Sequence, residues 1–184
     1  MSLLYLVRHG RPLARYDQDH DPGLDEVGHS QAQAVATELA PLGPLPLVTS
    51  PLRRTRETAA PFEQQWHVTA SVDPSVGEIN SPTDDLAERS AWLAEILRGN
   101  RRWGELDDER QRWRDGVVCA LLALPADTVV VTHYITINAT VGFATGDDRV
   151  LNFRPDNGSC TVLESDGVML SVVELGRQAE TRVS

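Results

Sequence analysis

Two short apolar runs, each closed by a histidine, constrain this chain most. Leu3-Leu4-Tyr5-Leu6-Val7 leads into Arg8-His9-Gly10, and Thr128-Val129-Val130-Val131-Thr132 leads into His133. Runs of this length are too short for an isolated helix and suit strands of a parallel sheet buried on both faces. In open α/β sheets the ligand crevice lies at the carboxyl ends of the parallel strands. His9 and His133 are therefore expected to face one pocket and not solvent.

The segments between these runs alternate in kind. Ala32, Val35, Ala36 and Leu39 recur at helical spacing, and the Pro-rich stretch 41–46 ends that helix. Leu47-Val48-Thr49 reads as a second strand, and Ser50-Pro51 reads as a helix start, serine at the N-cap and proline at the first helical position, for a helix reaching about Ala60. A short strand is predicted within 67–72, and the turn-rich passage 73–78 puts Glu78 on a loop. Helices are predicted over 84–97, 105–124 and from His133 to about Ala144, and segments 160–164 and 168–175 flank Ser165-Asp166-Gly167 as a hairpin. This order predicts a three-layer α/β/α sandwich with a mostly parallel sheet and a C-terminal antiparallel hairpin. Residues 1–176 are expected to form one domain, with 80–112 a candidate lid insertion and 177–184 a frayed tail.

Charge narrows the partners. All 17 basic side chains are arginine, and with 27 acidic ones they leave a formal net charge of −10. That balance disfavours nucleic acid and anionic membranes, so an anionic substrate needs a local cationic pocket. No apolar run approaches the ~20 residues that span a bilayer, and no signal-peptide pattern opens the chain. Cys119 and Cys160 fall in predicted core segments and read as two buried thiols of a cytoplasmic protein. The acidic run 17–23 imitates a calcium loop, but Pro22 stands where glycine is required and Gly28 where a bidentate glutamate should be. It reads better as a solvated loop beside the site. Trp92, Trp103 and Trp113 read as helix-packing residues.

Strand ends and loop starts thus offer Arg8, His9, Arg54, Glu78 and His133. Arginine forks hold the nonbridging oxygens of a phosphate, a neutral imidazole can attack phosphorus, and a carboxylic acid can protonate the departing alkoxide. A zinc site explains the set less well, because two arginines beside a dication would repel it. Arg53 is the alternative fork to Arg54, and Glu88 a weaker substitute for Glu78. The set points to phosphoryl transfer without a metal or other cofactor.

Several motifs, in order, resemble the histidine phosphatase superfamily. Leu6-Val7-Arg8-His9-Gly10 is similar to its Arg-His-Gly signature, and residues 24–32 to its Leu-Thr-x-x-Gly-x-x-Gln-Ala. Residues 50–59 resemble its Ser-x-Leu-x-Arg-Ala-x-x-Thr-Ala, Val130-Val131-Thr132-His133 its second histidine segment, and Asn157-Gly158-Ser159 the turn before its last hairpin. The resemblance implies that His9 is the nucleophile forming a phosphohistidine, that Arg8, Arg54 and His133 clamp the phosphoryl group, and that Glu78 is the proton donor and acceptor. Arg11-Pro12 departs from the family's Glu-Thr, Arg15 replaces an asparagine, Tyr134 a glycine and Asn138 an arginine. Arg15 and Tyr134 are accordingly assigned to substrate contact. The implied activity is that of a metal-independent phosphomonoesterase acting on a small phosphorylated metabolite, with inorganic phosphate as product. A phosphoglycerate-mutase-type phosphotransferase, a protein-phosphohistidine phosphatase and a non-catalytic phosphate-binding module are the alternatives.

Overall fold

The computed structural model describes residues 1–15, 18–98 and 101–179. Its sheet is built from β1 (Ser2–Arg8), β2 (Leu47–Thr49), β3 (Ser71–Val72), β4 (Thr128–Thr132), β5 (Cys160–Ser165) and β6 (Leu170–Glu174) in the order β3-β2-β4-β1-β5-β6. β1, β2, β3 and β4 run parallel, while β5 and β6 add an antiparallel edge. The helices are α1 (Glu26–Leu39), α2 (Arg53–Trp66), α3 (Leu86–Leu97), α4 (Asp108–Leu122) and α5 (Tyr134–Thr145).

Alternation along the strands creates two separate cores. Leu4 and Leu6 of β1 and Val130 of β4 point to one face, against Val117, Val118 and Leu121 of α4 and Ile137 and Val141 of α5. Tyr5, Val7, Val129 and Val131 point to the other, against Val35, Ala36 and Leu39 of α1 and Ala59, Phe62 and Trp66 of α2. Both faces are covered, so β1 and β4 tolerate no polar position in between, and the predicted sandwich and mostly parallel sheet are found. Ile79, Leu93, Ile96 and Trp103 form a third apolar cluster, which packs on Tyr134 and Ile135 at the start of α5. No helix among the described residues is long and apolar enough to cross a membrane.

Several boundaries differ from the sequence expectation for identifiable reasons. The N-cap of α2 is Leu52 and not Ser50, whose hydroxyl is engaged elsewhere. α2 then continues well past Ala60, through Pro61, to Trp66. His67 closes it in the left-handed conformation at φ 54°, and the predicted 67–72 strand shrinks to two residues. Cys119 is exposed, because α4 buries Val117, Val118 and Leu121 and turns residue 119 away from them. Cys160 is partly covered, and burial pushes its thiol up to about 12. Residues 177–179, expected to fray, instead pair back: the Asp156 N–H donates to the Arg177 carbonyl at 2.8 Å and the Ala179 N–H to that of Arg154 at 3.0 Å. The rest of the expected tail, 180–184, lies outside the described residues. The tryptophans pack as expected, Trp103 on Trp113 with centroids 6.0 Å apart and Trp92 under the Arg110 guanidinium at 5.9 Å.

The first turn of α1 lies flat on the loop after β1. Asp25 caps the helix by accepting the Gly28 N–H at 2.7 Å, and a Cβ at Gly28 would overlap the Arg11 backbone, as one at Gly10 would overlap Gly28. Alanine normally stabilises a helix over glycine by up to about 1 kcal/mol. At residue 28 the sign reverses: Gly28→Ala should destabilise by about 1–3 kcal/mol, the usual cost of overpacking, as read from urea denaturation midpoints.

Candidate active site

The sheet register delivers the two histidines side by side. Arg8 lies opposite Thr132, and the His9 N–H donates to the Thr132 carbonyl at 3.0 Å, so His9 and His133 leave neighbouring strands at equivalent positions. Their rings meet edge-on with centroids 5.2 Å apart, and both residues are fully buried.

His9 has one possible tautomer in this setting. Its Nδ1 lies 2.7 Å from the carbonyl oxygen of Gly10, which can only accept, so Nδ1 carries the hydrogen. Arg54 Nε donates to Nε2 at 3.3 Å, which requires a lone pair there. Burial first, then the charges of Arg54 and Arg8, hold the imidazole well below the usual histidine range. The result is a neutral ring with an unprotonated nitrogen against a guanidinium. The loop that carries it is fixed from two sides: Asn157 Nδ2 donates to the His9 carbonyl at 3.0 Å, and Thr58 Oγ1 accepts the Gly10 N–H at 3.0 Å.

Arg54, 1% exposed, links the histidines. Its second terminal nitrogen stands 3.3 Å from His133 Nδ1, so His133 carries its hydrogen on Nε2 and donates it to Ser50 Oγ at 2.8 Å. Ser50 Oγ in turn accepts the Leu52 N–H at 3.3 Å. Burial, then Arg54, His9 and Arg8, also hold His133 well below its usual range. Arg8 donates to the Pro155 carbonyl at 2.8 Å, and its guanidinium lies 4.9 Å from the centre of the Tyr134 ring.

Glu78 arrives from the loop after β3, held by two threonines. Thr132 Oγ1 donates to the Val76 carbonyl at 2.6 Å and Thr136 Oγ1 to that of Gly77 at 2.7 Å. The carboxyl, 6% exposed, sits 3.9 Å from His133 Nδ1 and accepts the Ile79 N–H at 3.0 Å. Burial raises it above the usual carboxylate range, against the pull of Arg54, the Ile79 amide, Arg8 and Arg89. Chemically the cluster offers a neutral nucleophile, two guanidinium forks and a carboxyl biased toward its protonated form.

All five expected groups, Arg8, His9, Arg54, Glu78 and His133, are thus brought together. The rival residues lie elsewhere. Arg53 pairs with Glu57 at 2.7 Å, and Glu88 is exposed and accepts the Thr83 hydroxyl at 2.9 Å. Arg11 pairs with Asp25, and Arg15 stands exposed on the following loop with its N–H on the Gln18 side chain. Tyr134 is 8% exposed and supports Arg8 from beneath. Asn138 is buried in structural work, its Oδ1 accepting the Asn152 and Phe153 N–H groups. Ser50, Thr58, Asn157, Thr132 and Thr136 were assigned no role in the site from sequence. The Asn157-Gly158-Ser159 turn and the threonine before His133 were visible, but their partners lie far away in the chain.

Comparison with known proteins agrees with this geometry. A family model of the histidine phosphatase superfamily (branch 1) matches residues 4–178. The probable phosphoglycerate mutase GpmB of Erwinia tasmaniensis is 29% identical over 188 aligned positions, covering 90% of this chain and 85% of its own. Its namesake from Yersinia pestis is 28% identical over 163, covering 79% and 76%. Among solved structures, the phosphoserine phosphatase of Entamoeba histolytica in complex with 3-phosphoglyceric acid superposes with a TM-score of 0.73 at 19% identity, covering 97% of this chain and 98% of its own. A mycobacterial glucosyl-3-phosphoglycerate phosphatase superposes with a TM-score of 0.69 at 22% identity, covering 97% and 100%. With its Arg-His-Gly strand end, its second histidine on the neighbouring strand and a match along nearly its whole length, the chain belongs to the histidine phosphatase superfamily.

Proposed function

We propose that the protein is a metal-independent phosphomonoesterase that hydrolyses a small phosphorylated metabolite in the cytoplasm through a phosphohistidine. The observation that carries this reading is the orientation of His9, whose Nδ1–H is spent on the Gly10 carbonyl while the Nε2 lone pair faces Arg54. In the first step His9 Nε2 attacks phosphorus, the P–N bond forms, the P–O bond to the leaving group breaks, and Glu78 gives its proton to the departing oxygen. In the second, the Glu78 carboxylate takes a proton from water, whose oxygen attacks phosphorus; the P–N bond breaks, and inorganic phosphate departs from neutral His9. Arg8, Arg54 and His133 hold the charge that builds on the nonbridging oxygens. Arg15 and Tyr134 are the proposed contacts to the rest of the substrate.

The test is a panel of metabolite phosphates and p-nitrophenyl phosphate in EDTA, with rapid quenching of labelled substrate. Turnover should resist EDTA, and the trapped label should be acid-labile and base-stable. Absence of release from every substrate, with no trapped label, would overturn the reading. The GpmB relatives favour a second one, phosphoglycerate mutase, in which label moves between the hydroxyls of phosphoglycerate faster than phosphate appears. Glu78→Gln should lower kcat for alkyl phosphates by about 10²–10⁴-fold. It should change little with phosphoramidates, whose leaving nitrogen needs less help; an equal loss on both would reassign Glu78 to a structural role.

A further inference from the structure

Four of the five groups assigned to the site are sealed from solvent, Arg8 being half-buried: His9 and His133 are 0% exposed, Arg54 1% and the Glu78 side chain 6%. With so little exposure, a phosphate reaches His9 Nε2 only if a neighbouring group moves aside. On the solvent side of Arg54 stands another anion. Asp21, 45% exposed, places Oδ1 3.9 Å from Arg54 Nη1. The same oxygen accepts the Arg53 N–H at 2.8 Å, in the first turn of α2, whose N-cap Leu52 offers no side chain.

The segment carrying Asp21 is strapped to the site and not loosely hung over it. The Asp21 N–H turns back onto the Asp19 carboxylate at 3.0 Å, and His20 Nδ1 lies 3.5 Å from the Arg89 guanidinium on α3. Glu57 of α2 accepts the Leu24 N–H at 2.6 Å, and a Cβ at Gly23 would press on the Glu57 and Arg53 side chains. Its anchor at Leu24 is firm. The contact to Arg54 itself rests on a half-exposed carboxylate 3.9 Å away, which can swing.

We propose that Asp21 is an internal counter-anion of the phosphate clamp: its carboxylate pairs with Arg54 in competition with phosphate, and an incoming phosphate dianion displaces it. The carboxylate shields a buried guanidinium while no ligand is present, and each binding event must first break that contact. Asp21 therefore sets the affinity of the clamp for phosphate. This inference rests on the assignment of the clamp as a phosphate site.

Asp21→Asn is the decisive variant, since the amide oxygen keeps the Arg53 N–H bonded and only the charge is lost. Calorimetric titration of wild type and variant with inorganic phosphate, at low and high salt, separates the outcomes. A displaced counter-anion predicts about 3- to 30-fold tighter binding by the variant at low salt, with the gain shrinking as salt screens the charge. Asp21→Ser, which also retains an oxygen acceptor, should shift in the same direction. Equal or weaker binding by both variants at every salt concentration would overturn the proposal and leave Asp21 as a helix cap. Phosphate binding to neither wild type nor variant would overturn the clamp assignment itself.

Discussion

Replacing His9 by alanine is expected to lower phosphate release by about 10⁴-fold or more, the scale on which enzymes lose turnover when the attacking group is removed. Without Nε2 there is no P–N bond to form, and water would have to attack a phosphoryl group in a site shaped around an imidazole. Arg8, Arg54 and His133 would remain, so phosphate should still bind. Loss of turnover with retained binding would separate the nucleophile from the clamp. The comparison needs steady-state release in EDTA beside a phosphate titration of the same variant. A His9→Ala protein that kept more than about a hundredth of wild-type turnover would remove His9 from the chemistry.

Acidification should destabilise this protein through its two buried histidines. His9 and His133 both titrate well below the usual histidine range when folded, chiefly because burial penalises their charged forms. Below the ordinary histidine pKa the unfolded chain takes up protons that the folded one refuses, so stability falls as pH drops. Each ring can contribute about 1.4 kcal/mol per pH unit in that range, hence up to about 3 kcal/mol for the pair between pH 7.5 and 5.5. Glu78 acts with the opposite sign. Its carboxyl is raised when folded, so the folded state holds that proton more tightly, and the resulting gain sets in only as pH falls toward the carboxylate range. Urea denaturation at pH 7.5, 6.5 and 5.5 should therefore show a steep loss in wild type and about half that slope in His9→Asn. Equal slopes in wild type and in the His9→Asn/His133→Asn protein would show that the rings titrate normally.

How much of this was legible in the sequence follows from the range of each signal. β1 and β4 announce themselves because burial on both faces forbids polar positions, and their ends therefore locate His9 and His133. Glu78 could be placed on a loop by its turn residues, but its approach to His133 depends on Thr132 and Thr136 gripping the carbonyls before it. Those bonds join residues more than fifty positions apart, and no local pattern encodes them. Ser50-Pro51 is the instructive miss. Its local signal for a helix cap is genuine, yet the hydroxyl is engaged by His133 Nε2, and the helix begins later. Cys119 failed in a simpler way, since membership of an apolar helix does not say which side a residue takes.

The parallel pairing of β1 with β4 has an evolutionary side. Because Arg8 faces Thr132 across a hydrogen-bonded ladder, the spacing of the two backbone positions that carry the imidazoles is written in strand register. A one-residue slip of either strand would turn its histidine to the opposite layer and separate the pair. Change elsewhere in the chain can then proceed while that spacing is kept, which makes the sheet register a frame on which a lineage can vary.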